Sequence, residues 1–320
     1  MAAGGNLEFE KPILELEKKI REMKEFSSGG GVELSSEIVS LERKLEKLQT
    51  DIFSKLSRWQ RVQLARHPKR PYTQDYINHI FTDFVELHGD RGFADDKAVI
   101  CGFGKLDGQK VCIIGQQKGR DTKSKLERNF GMMHPEGYRK ALRIMRTAAR
   151  FGRPIVIFID TPGAYPGVGA EERGQAEAIA RNILEMFNLP VPILLTIIGE
   201  GASGGALGIG IGDKLLMLEN SWYSVISPEG CAAILWRDNA KAPDAAEALK
   251  LSATDLLELK VIDKILPEPS GGAHRNHQLA ASIVKAELSA SLEELGALTK
   301  EDLLRRRLDK FRTIGVYDEI

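Results

Sequence analysis

The stretch PVPILLTIIGEGASGGALGIGIGD, residues 190–213, decides the fold class. Its first half contains the apolar run PILLTII, which is short and rich in β-branched residues, as a buried strand is. Its second half is dense in glycine, and glycines that directly follow a strand mark a tight turn. The stretch therefore predicts a strand, a turn and a following helix, the repeating unit of an α/β protein.

The turn after this strand fits the pattern of a serine nucleophile. Residues 201–205, GASGG, match the G-x-S-x-G elbow, in which a serine hydroxyl is exposed between a strand and a helix. Such a serine needs a histidine base that a carboxylate orients. His274 and His277 follow Ser203 in the chain, which is the order that an α/β-hydrolase requires. One hypothesis is therefore a hydrolase whose nucleophile is Ser203.

The same turn also fits an anion site made of backbone. Gly204 and Gly205 open the predicted helix and have no side chain to block a ligand. The free N–H groups at a helix start and the positive end of the helix dipole point the same way. Gly208, Gly210 and Gly212 would let this helix pack closely against another backbone. An elbow explains only two of the glycines in the stretch, so the glycine density favours the backbone site.

A second glycine-rich turn occupies residues 160–175, DTPGAYPGVGAEERGQ, directly after the β-branched strand PIVIFID at 154–160. Two such turns at the carboxyl ends of consecutive strands can aim backbone donors at one developing negative charge. The segment FIDTPG also resembles the D-x-x-G switch of GTPases, but no window matches the phosphate-binding pattern G-x-x-x-x-G-K-[ST]. Glu172 and Arg173 either orient a substrate or pair with each other.

From about residue 97 the pattern alternates between strands and helices, which predicts an α/β body. A helix is expected to begin at Pro135 and to end before Gly152, because proline favours the first turn of a helix and glycine follows its last. One continuous helix is predicted over 169–187. Further helices are expected from about residue 276 to the end of the chain.

The first part of the chain predicts a helical hairpin. Ile13, Leu16, Ile20 and Met23 recur at helical spacing, and a heptad seam follows the breaker SSGGG at 27–31. The seam consists of Leu34, Ile38, Leu41, Leu45, Leu48 and Ile52. Two helices with a short glycine link should fold back as an antiparallel pair. We therefore expect an N-terminal helical hairpin, or arm, over 1–70 and a single larger domain over 71–320.

Composition excludes several classes of protein. The chain has 45 basic and 45 acidic residues among 320, which argues against a general nucleic-acid binder. No apolar run approaches the roughly 20 residues that span a bilayer, and the first residues lack the pattern of a signal peptide. Cys101, Cys112 and Cys231 form no C-x-x-C pair. We expect a cytoplasmic protein without a disulfide framework and without a metal site.

Two basic runs interrupt the otherwise balanced charge. Residues 52–74 contain six cations and no acidic residue, and a basic loop spans 116–128, QQKGRDTKSKLER. Such runs are usually solvated surface, but two of them are also consistent with a polyanionic ligand or an acidic partner.

Long segments of the chain, in the same order, resemble the alpha subunits of bacterial acetyl-CoA carboxylase carboxyltransferases. The most specific are FIDTPGAYPGVGAEERGQAEAIARN (158–182), IGEGASGGALGIGIGD (198–213) and YSVISPEGCAAILW (223–236). WQRVQLARHPKRPYTQDYI (59–77) extends the resemblance into the arm. The similarity covers about residues 7 to 312, and the departures lie chiefly in the hairpin and the last ten residues.

This resemblance implies a crotonase-like fold of the ClpP/crotonase superfamily, a spiral of ββα units with an N-terminal helical hairpin. It also implies a carboxyltransferase beta subunit as partner in an α2β2 assembly, together with a biotin carboxyl carrier protein and biotin carboxylase. The carrier would present carboxybiotin, and acetyl-CoA would be converted to malonyl-CoA. No cofactor would be bound covalently in this chain, and zinc is expected only in the beta subunit. No membrane association is expected.

The resemblance also assigns roles to residues of the two turns. It implies that Gly204 and Gly205 donate backbone N–H groups to the ureido oxygen of biotin, with Ser203 only a small residue at a turn. The residues that it places at the substrate are Gly163, Ala164, Tyr165, Gly167 and Ala206. For Gly163 and Ala164 the alternative remains that they only shape the turn.

Overall fold

The computed structural model describes residues 7–28 and 35–315. From about residue 97 the chain alternates between strands and helices, as the sequence predicts. In chain order they are α1 (Lys11–Ser28), α2 (Ser35–Phe53), α3 (Arg58–Ala65), α4 (Thr73–Ile80), β1 (Thr82–Glu86), β2 (Val99–Leu106), β3 (Gln109–Gln116), α5 (Thr122–Glu127), α6 (Pro135–Arg150), β4 (Ile155–Thr161), α7 (Val168–Glu172), α8 (Gln175–Phe187), β5 (Ile193–Ala202), α9 (Ser203–Leu207), β6 (Lys214–Leu218), β7 (Trp222–Ser224), α10 (Pro228–Trp236), α11 (Ala242–Leu249), α12 (Ala253–Glu258), β8 (Lys264–Leu266), α13 (His277–Gly296) and α14 (Lys300–Arg312).

The strands form one mixed sheet in the order β1-β2-β3-β4-β5-β6-β8, and β7 pairs with the end of β5. The first three strands are antiparallel, whereas β3, β4, β5, β6 and β8 run parallel. Asp107 and Gly108 alone connect β2 to β3, and both have positive φ, as the tightest hairpin turns require. The carboxyl ends of β3, β4 and β5 therefore meet at one edge of the sheet.

Both faces of the central strands are buried, which explains their uninterrupted apolar sequences. On β4, Ile155, Ile157 and Ile159 pack in a core with side chains of α6 and α8. Val156 and Phe158 alternate with them and pack on the opposite face with side chains of α4 and α13. The sheet is thus held between two helical layers, and its edge is free to carry the glycine-rich turns.

The N-terminal helices form the antiparallel hairpin that the heptad seam predicts. Lys24 Nζ of α1 lies 2.6 Å from a Glu42 oxygen of α2, and Gln49 near the end of α2 donates to Glu17 near the start of α1. The glycines of the breaker lie outside the described residues. A boundary near residue 70 between arm and main domain stays a prediction.

Two boundaries differ from those expected from the sequence. The single helix predicted over 169–187 is broken into α7 and α8, because Gly174 adopts a left-handed φ of 81° between them. The turn after the second buried strand begins only at Ser203, since β5 continues through Gly199 and Gly201. A Cβ on Gly199 would lie 2.5 Å from an Asp160 carboxylate oxygen, so this strand position requires glycine for packing and not for a turn.

Within residues 7–28 and 35–315, none of the helices combines the length and the apolar character needed to cross a bilayer.

The C-terminal helix α14 is fastened by one buried arginine. Arg307 makes two hydrogen bonds of 2.8 Å to the Asp213 carboxylate. It also donates to three backbone carbonyls, that of Met186 at the end of α8 and those of Leu189 and Val191 just after it. A planar guanidinium matches such a set of acceptors because its five donors lie in one fixed fork.

We predict that Arg307→Ala lowers the free energy of unfolding by about 3–5 kcal/mol, since it leaves Asp213 buried without its cation. Chemical denaturation of the purified protein measures this change. Arg306→Ala is the matched control, because Arg306 is exposed on the same helix turn. Similar losses in both variants would contradict a special role for the buried pair.

Candidate active site

The two glycine-rich turns touch each other through their backbones. β4 and β5 are parallel neighbours, and Thr161 at the end of β4 is paired with Gly201. A Cβ on Gly205 would lie 2.2 Å from the carbonyl carbon of Gly163 and 2.6 Å from the nitrogen of Ala164. Only glycine fits at this position. The side-by-side arrangement that the sequence predicts for the turns is therefore present.

The second turn ends in α9, a helix of five residues. The first N–H groups of any helix have no intrahelical acceptor, and here these belong to Ser203, Gly204 and Gly205. Ser203 and Gly204 line a groove of about 400 Å³ whose other walls are largely apolar, including Tyr223 and Val225. The start of α9 thus offers backbone donors beside a cavity large enough for a small bicyclic ligand.

Ser203 has the backbone but not the partners of a nucleophile. Its φ is 54°, a left-handed conformation that is uncommon for residues other than glycine, and its side chain is exposed. His274 bonds to Glu10 at 3.0 Å, and His277 bonds to the carbonyl of Lys69 at 2.7 Å. Since both candidate bases are engaged elsewhere, the geometry does not support a serine hydrolase.

The cluster around His274 joins the arm to the body. Glu10 and His67 are buried and His274 is nearly so, and one potential ligand atom from each lies within 4.8 Å of the others. The imidazole rings of His67 and His274 lie with their centroids 4.0 Å apart and their planes tilted by 34°. Burial lowers the pKa of His67 to about 4, and the neighbouring His274 adds to the shift.

The first turn is held by bonds within itself and to its neighbours. The hydroxyl of Thr161 donates to the carbonyl of Gly163 at 2.7 Å and accepts from the N–H of Gly163 at 3.1 Å. The Tyr165 ring stacks on His134 at 4.1 Å between centroids. Gln175 donates to the Tyr165 carbonyl at 3.0 Å. These contacts fix the backbone of the turn and its Tyr165 ring.

The remaining predicted substrate residues take different positions. Gly163 has a φ of 153°, which glycine adopts more readily than other residues. Gly167 lies against Tyr165, where a Cβ would come within 2.4 Å of the ring. Ala206 is fully buried in the core, so its side chain points away from the groove. Ala164 is half-buried beside Gly205.

Sequence reasoning missed a buried charge network at the same edge of the sheet. Lys118, just after β3, lies 2.6 Å from carboxylate oxygens of both Asp160, on β4, and Glu200, on β5. Arg66, the residue after α3, approaches Glu200 to 2.6 Å and also pairs with Glu229. The sequence did contain a signal for this network. Lys118 comes just after the buried strand β3, and Asp160 and Glu200 lie near the ends of the buried strands β4 and β5.

The network sets the protonation of its carboxyl groups. Burial raises the pKa of Asp160 above its usual value, and the nearby Lys118 only partly opposes this rise. Burial acts in the same direction on Glu200, but Lys118 and Arg66 together hold the pKa of Glu200 below its usual value. Burial tends to lower the pKa of Lys118, yet the two carboxylates raise it. An ionised lysine therefore bridges the ends of β4 and β5.

Two expectations about charged residues are corrected. Arg173 pairs with Glu136 at 3.0 Å and not with Glu172, because the break at Gly174 turns its side chain towards α6.

The basic run at 52–74 is not mainly solvated surface. Arg58, Arg66 and Arg70 all form ion pairs with carboxylates of the main body, and Arg70 is buried with Glu268.

Solved structures with a similar fold support the architecture. The malonate decarboxylase hetero-tetramer from Pseudomonas, in complex with coenzyme A, superposes with a TM-score of 0.55 at 16% identity, covering 66% of this chain and 84% of that chain. Transcarboxylase 12S, with methylmalonyl-coenzyme A and methylmalonic acid bound, gives a TM-score of 0.52 at 19% identity, covering 69% of this chain and 42% of that chain. The chain therefore shares the fold of these proteins, and the predicted crotonase-like fold class is confirmed.

Comparison with related sequences identifies one family within this fold class. The family model described as acetyl co-enzyme A carboxylase carboxyltransferase-like matches residues 6–315. A protein of Geobacter metallireducens named acetyl-coenzyme A carboxylase carboxyl transferase subunit alpha is 60% identical over 319 residues, covering 100% of both chains. The chain belongs to the family of acetyl-CoA carboxylase carboxyltransferase alpha subunits. It is thus one component of a carboxyltransferase with more than one kind of subunit.

We predict that Lys118→Met lowers the free energy of unfolding by about 3–5 kcal/mol at pH 7, because two buried carboxylates lose their shared cation. In the variant both carboxyl groups should bind protons more readily in the folded than in the unfolded chain. The loss of stability should therefore shrink as the pH falls from 7 towards about 4, the usual range for unfolded carboxyl groups.

Urea denaturation at pH 7 and pH 5 measures this dependence. Lys123→Met is the control, since Lys123 is exposed on α5 close to the same loop. A loss that is equal at both pH values would show that the carboxylates are not the reason for the effect.

Proposed function

We propose that this chain, together with a carboxyltransferase beta subunit, transfers the carboxyl group of carboxybiotin to acetyl-CoA and so forms malonyl-CoA. Carboxybiotin would arrive on a biotin carboxyl carrier protein after biotin carboxylase has charged it, in the cytoplasm. The observation that carries the proposal is the backbone contact between the two turns at Gly205, next to the start of α9, where Ser203 and Gly204 line a groove. Membership of the family supplies the reaction.

The reaction needs two oxyanions to be stabilised and no side-chain nucleophile. The bond between biotin N1 and the carboxyl carbon breaks, and negative charge develops on the ureido oxygen. The methyl carbon of acetyl-CoA loses a proton to biotin N1 and forms a bond to the released carboxyl carbon, while charge develops on the thioester oxygen. Preorganised N–H groups aimed at such oxygens lower the barrier strongly.

In this proposal Gly204 and Gly205 donate their N–H groups to the ureido oxygen of biotin. The start of α9 favours negative charge there, and the contact of Gly205 with Gly163 keeps the first turn close behind it. Largely apolar walls exclude water from the groove, so each hydrogen bond to the oxygen is stronger than in solution. The thioester oxygen would be held by matching backbone groups of the beta subunit.

The surface next to the groove supports an active site between subunits. Val225, which lines the groove, is 77% exposed, and Ile234 and Leu235 at the end of α10 are 72% and 62% exposed. Several large apolar side chains left exposed along one short segment of the chain mark a surface that another protein covers. We propose that the beta subunit covers it in an α2β2 assembly, with zinc confined to that partner.

The first test is a substitution that separates the two turns. Gly205→Ala should reduce transfer at least about 100-fold in the assembled enzyme, because the added methyl group displaces the backbone donors. Malonyl-CoA-dependent carboxylation of free biotin, with both subunits present, measures the rate. Gly296→Ala is the control, since a Cβ there meets no atom within 4 Å. Activity of this chain without the beta subunit, or full activity of Gly205→Ala, would contradict the proposal.

The second test removes the hydroxyl of Ser203. Ser203→Gly should leave the transfer rate unchanged, because glycine accepts the left-handed φ of 54° and the proposed donors are backbone groups. The same assay measures it, and a fluorophosphonate probe should leave Ser203 of the unmodified chain unlabelled. Labelling of Ser203 together with an inactive Ser203→Gly variant would restore the hydrolase hypothesis.

A further inference from the structure

One buried side chain, that of Gln116, bonds both to α9 and to the end of β4. Gln116 is the last residue of β3 and is fully buried. Its Nε2 donates to the carbonyl oxygen of Gly205 at 2.7 Å, and its Oε1 accepts from the backbone N–H of Asp160 at 3.1 Å. One carboxamide group therefore has its nitrogen bonded to Gly205 of α9 and its oxygen bonded to Asp160 near the end of β4.

The carbonyl of Gly205 depends on this bond. In a longer helix the N–H of Ile209 would donate to it, but Ile209 donates to Ala206 at 3.3 Å, and Gly208 donates to Gly204 at 2.9 Å. The helix ends there, and its last carbonyls need partners from elsewhere. Because Gly205 is buried, its carbonyl needs a partner within the protein. Gln116 supplies the hydrogen bond that the helix lacks, and this bond requires one orientation of the Gly205 peptide.

We propose that Gln116 is a positioning residue of the anion site, which holds α9 and the end of β4 at the separation and orientation that the reaction requires. This inference rests on the proposed function, because it concerns the donors at Gly204 and Gly205. Displacing a catalytic group by about 1 Å typically costs about 100-fold in rate. Gln116 itself does not touch the substrate.

The conservative variant Gln116→Glu gives the sharpest test. A protonated glutamic acid can donate to the Gly205 carbonyl and accept from the Asp160 N–H, as the amide does. An ionised glutamate has no proton to donate and repels the carbonyl oxygen. The variant should therefore be close to wild type at low pH and lose about 100-fold in kcat as the pH rises through the ionisation of the introduced carboxyl group, a loss of the size expected for a displaced donor.

The wild-type enzyme is the control for other titrating groups. The charged groups next to Gln116 are Asp160 on β4, whose backbone N–H bonds to Gln116, and the two groups linked to it, Lys118 and Glu200 on β5. All three remain in the variant, so any pH dependence that they cause appears in both profiles. The measurement is kcat against pH for the complex with the beta subunit, in the direction of malonyl-CoA-dependent biotin carboxylation.

A second pair of variants separates positioning from stability. Gln116→Met keeps the length of the side chain but loses both hydrogen bonds, and it should lower kcat about 100-fold with an unchanged KM for malonyl-CoA. Gln117→Met is the matched control. Gln117 is also buried, but it bonds to the N–H of Gln74 and the carbonyl of Lys118, not to either turn. It should keep its kcat even if its thermal stability falls.

The outcomes distinguish this inference from the proposed function. A wild-type complex without carboxyl transfer overturns the proposed function. An active wild-type complex with a Gln116→Glu profile that parallels its own, or with equal losses of kcat in Gln116→Met and Gln117→Met, overturns only the role of Gln116. A new pH-dependent loss confined to Gln116→Glu, with kcat lost in Gln116→Met alone, establishes it.

Discussion

The close approach of Gly205 to the Gly163–Ala164 peptide is the constraint on which the site depends. A single methyl group at Gly205 would overlap the opposing backbone, so the two turns can meet only where one of them has no side chain. Parallel pairing of β4 and β5 brings both turns to one edge of the sheet. The sheet determines where the turns lie, and the missing Cβ determines how close they come.

Charges and amides behind the turns stabilise this arrangement. Lys118 joins Asp160 to Glu200, and so connects the ends of the same two strands that carry the turns. Gln116, an uncharged side chain, bonds to Gly205 of α9 and to Asp160 near the end of β4. Gln116 is the last residue of β3, and Lys118 lies just after it. Three adjacent strands therefore contribute: two provide the backbone of the site, and the third provides the groups that fix it.

The sequence predicts local features well and contacts between distant residues poorly. The strand in PILLTII and the helix from Pro135 were predictable because apolar periodicity and helix-capping residues are local signals. The break at Gly174 was missed, since one glycine inside a helical pattern does not by itself end a helix. The Lys118 network was missed because its paired members are up to 163 residues apart, and pairing in space leaves no local signal.

The cluster of Glu10, His67 and His274 has a consequence for synthesis on the ribosome. Glu10 leaves the exit tunnel well before its partner His274, which is made 264 residues later. Arg275, which pairs with Glu17, emerges at the same late stage. At about 5–20 residues per second, the arm waits for many seconds without its docking site. During that interval the amphipathic hairpin is exposed to chaperones and to other nascent chains, so the order of translation makes docking of the arm one of the last steps of folding.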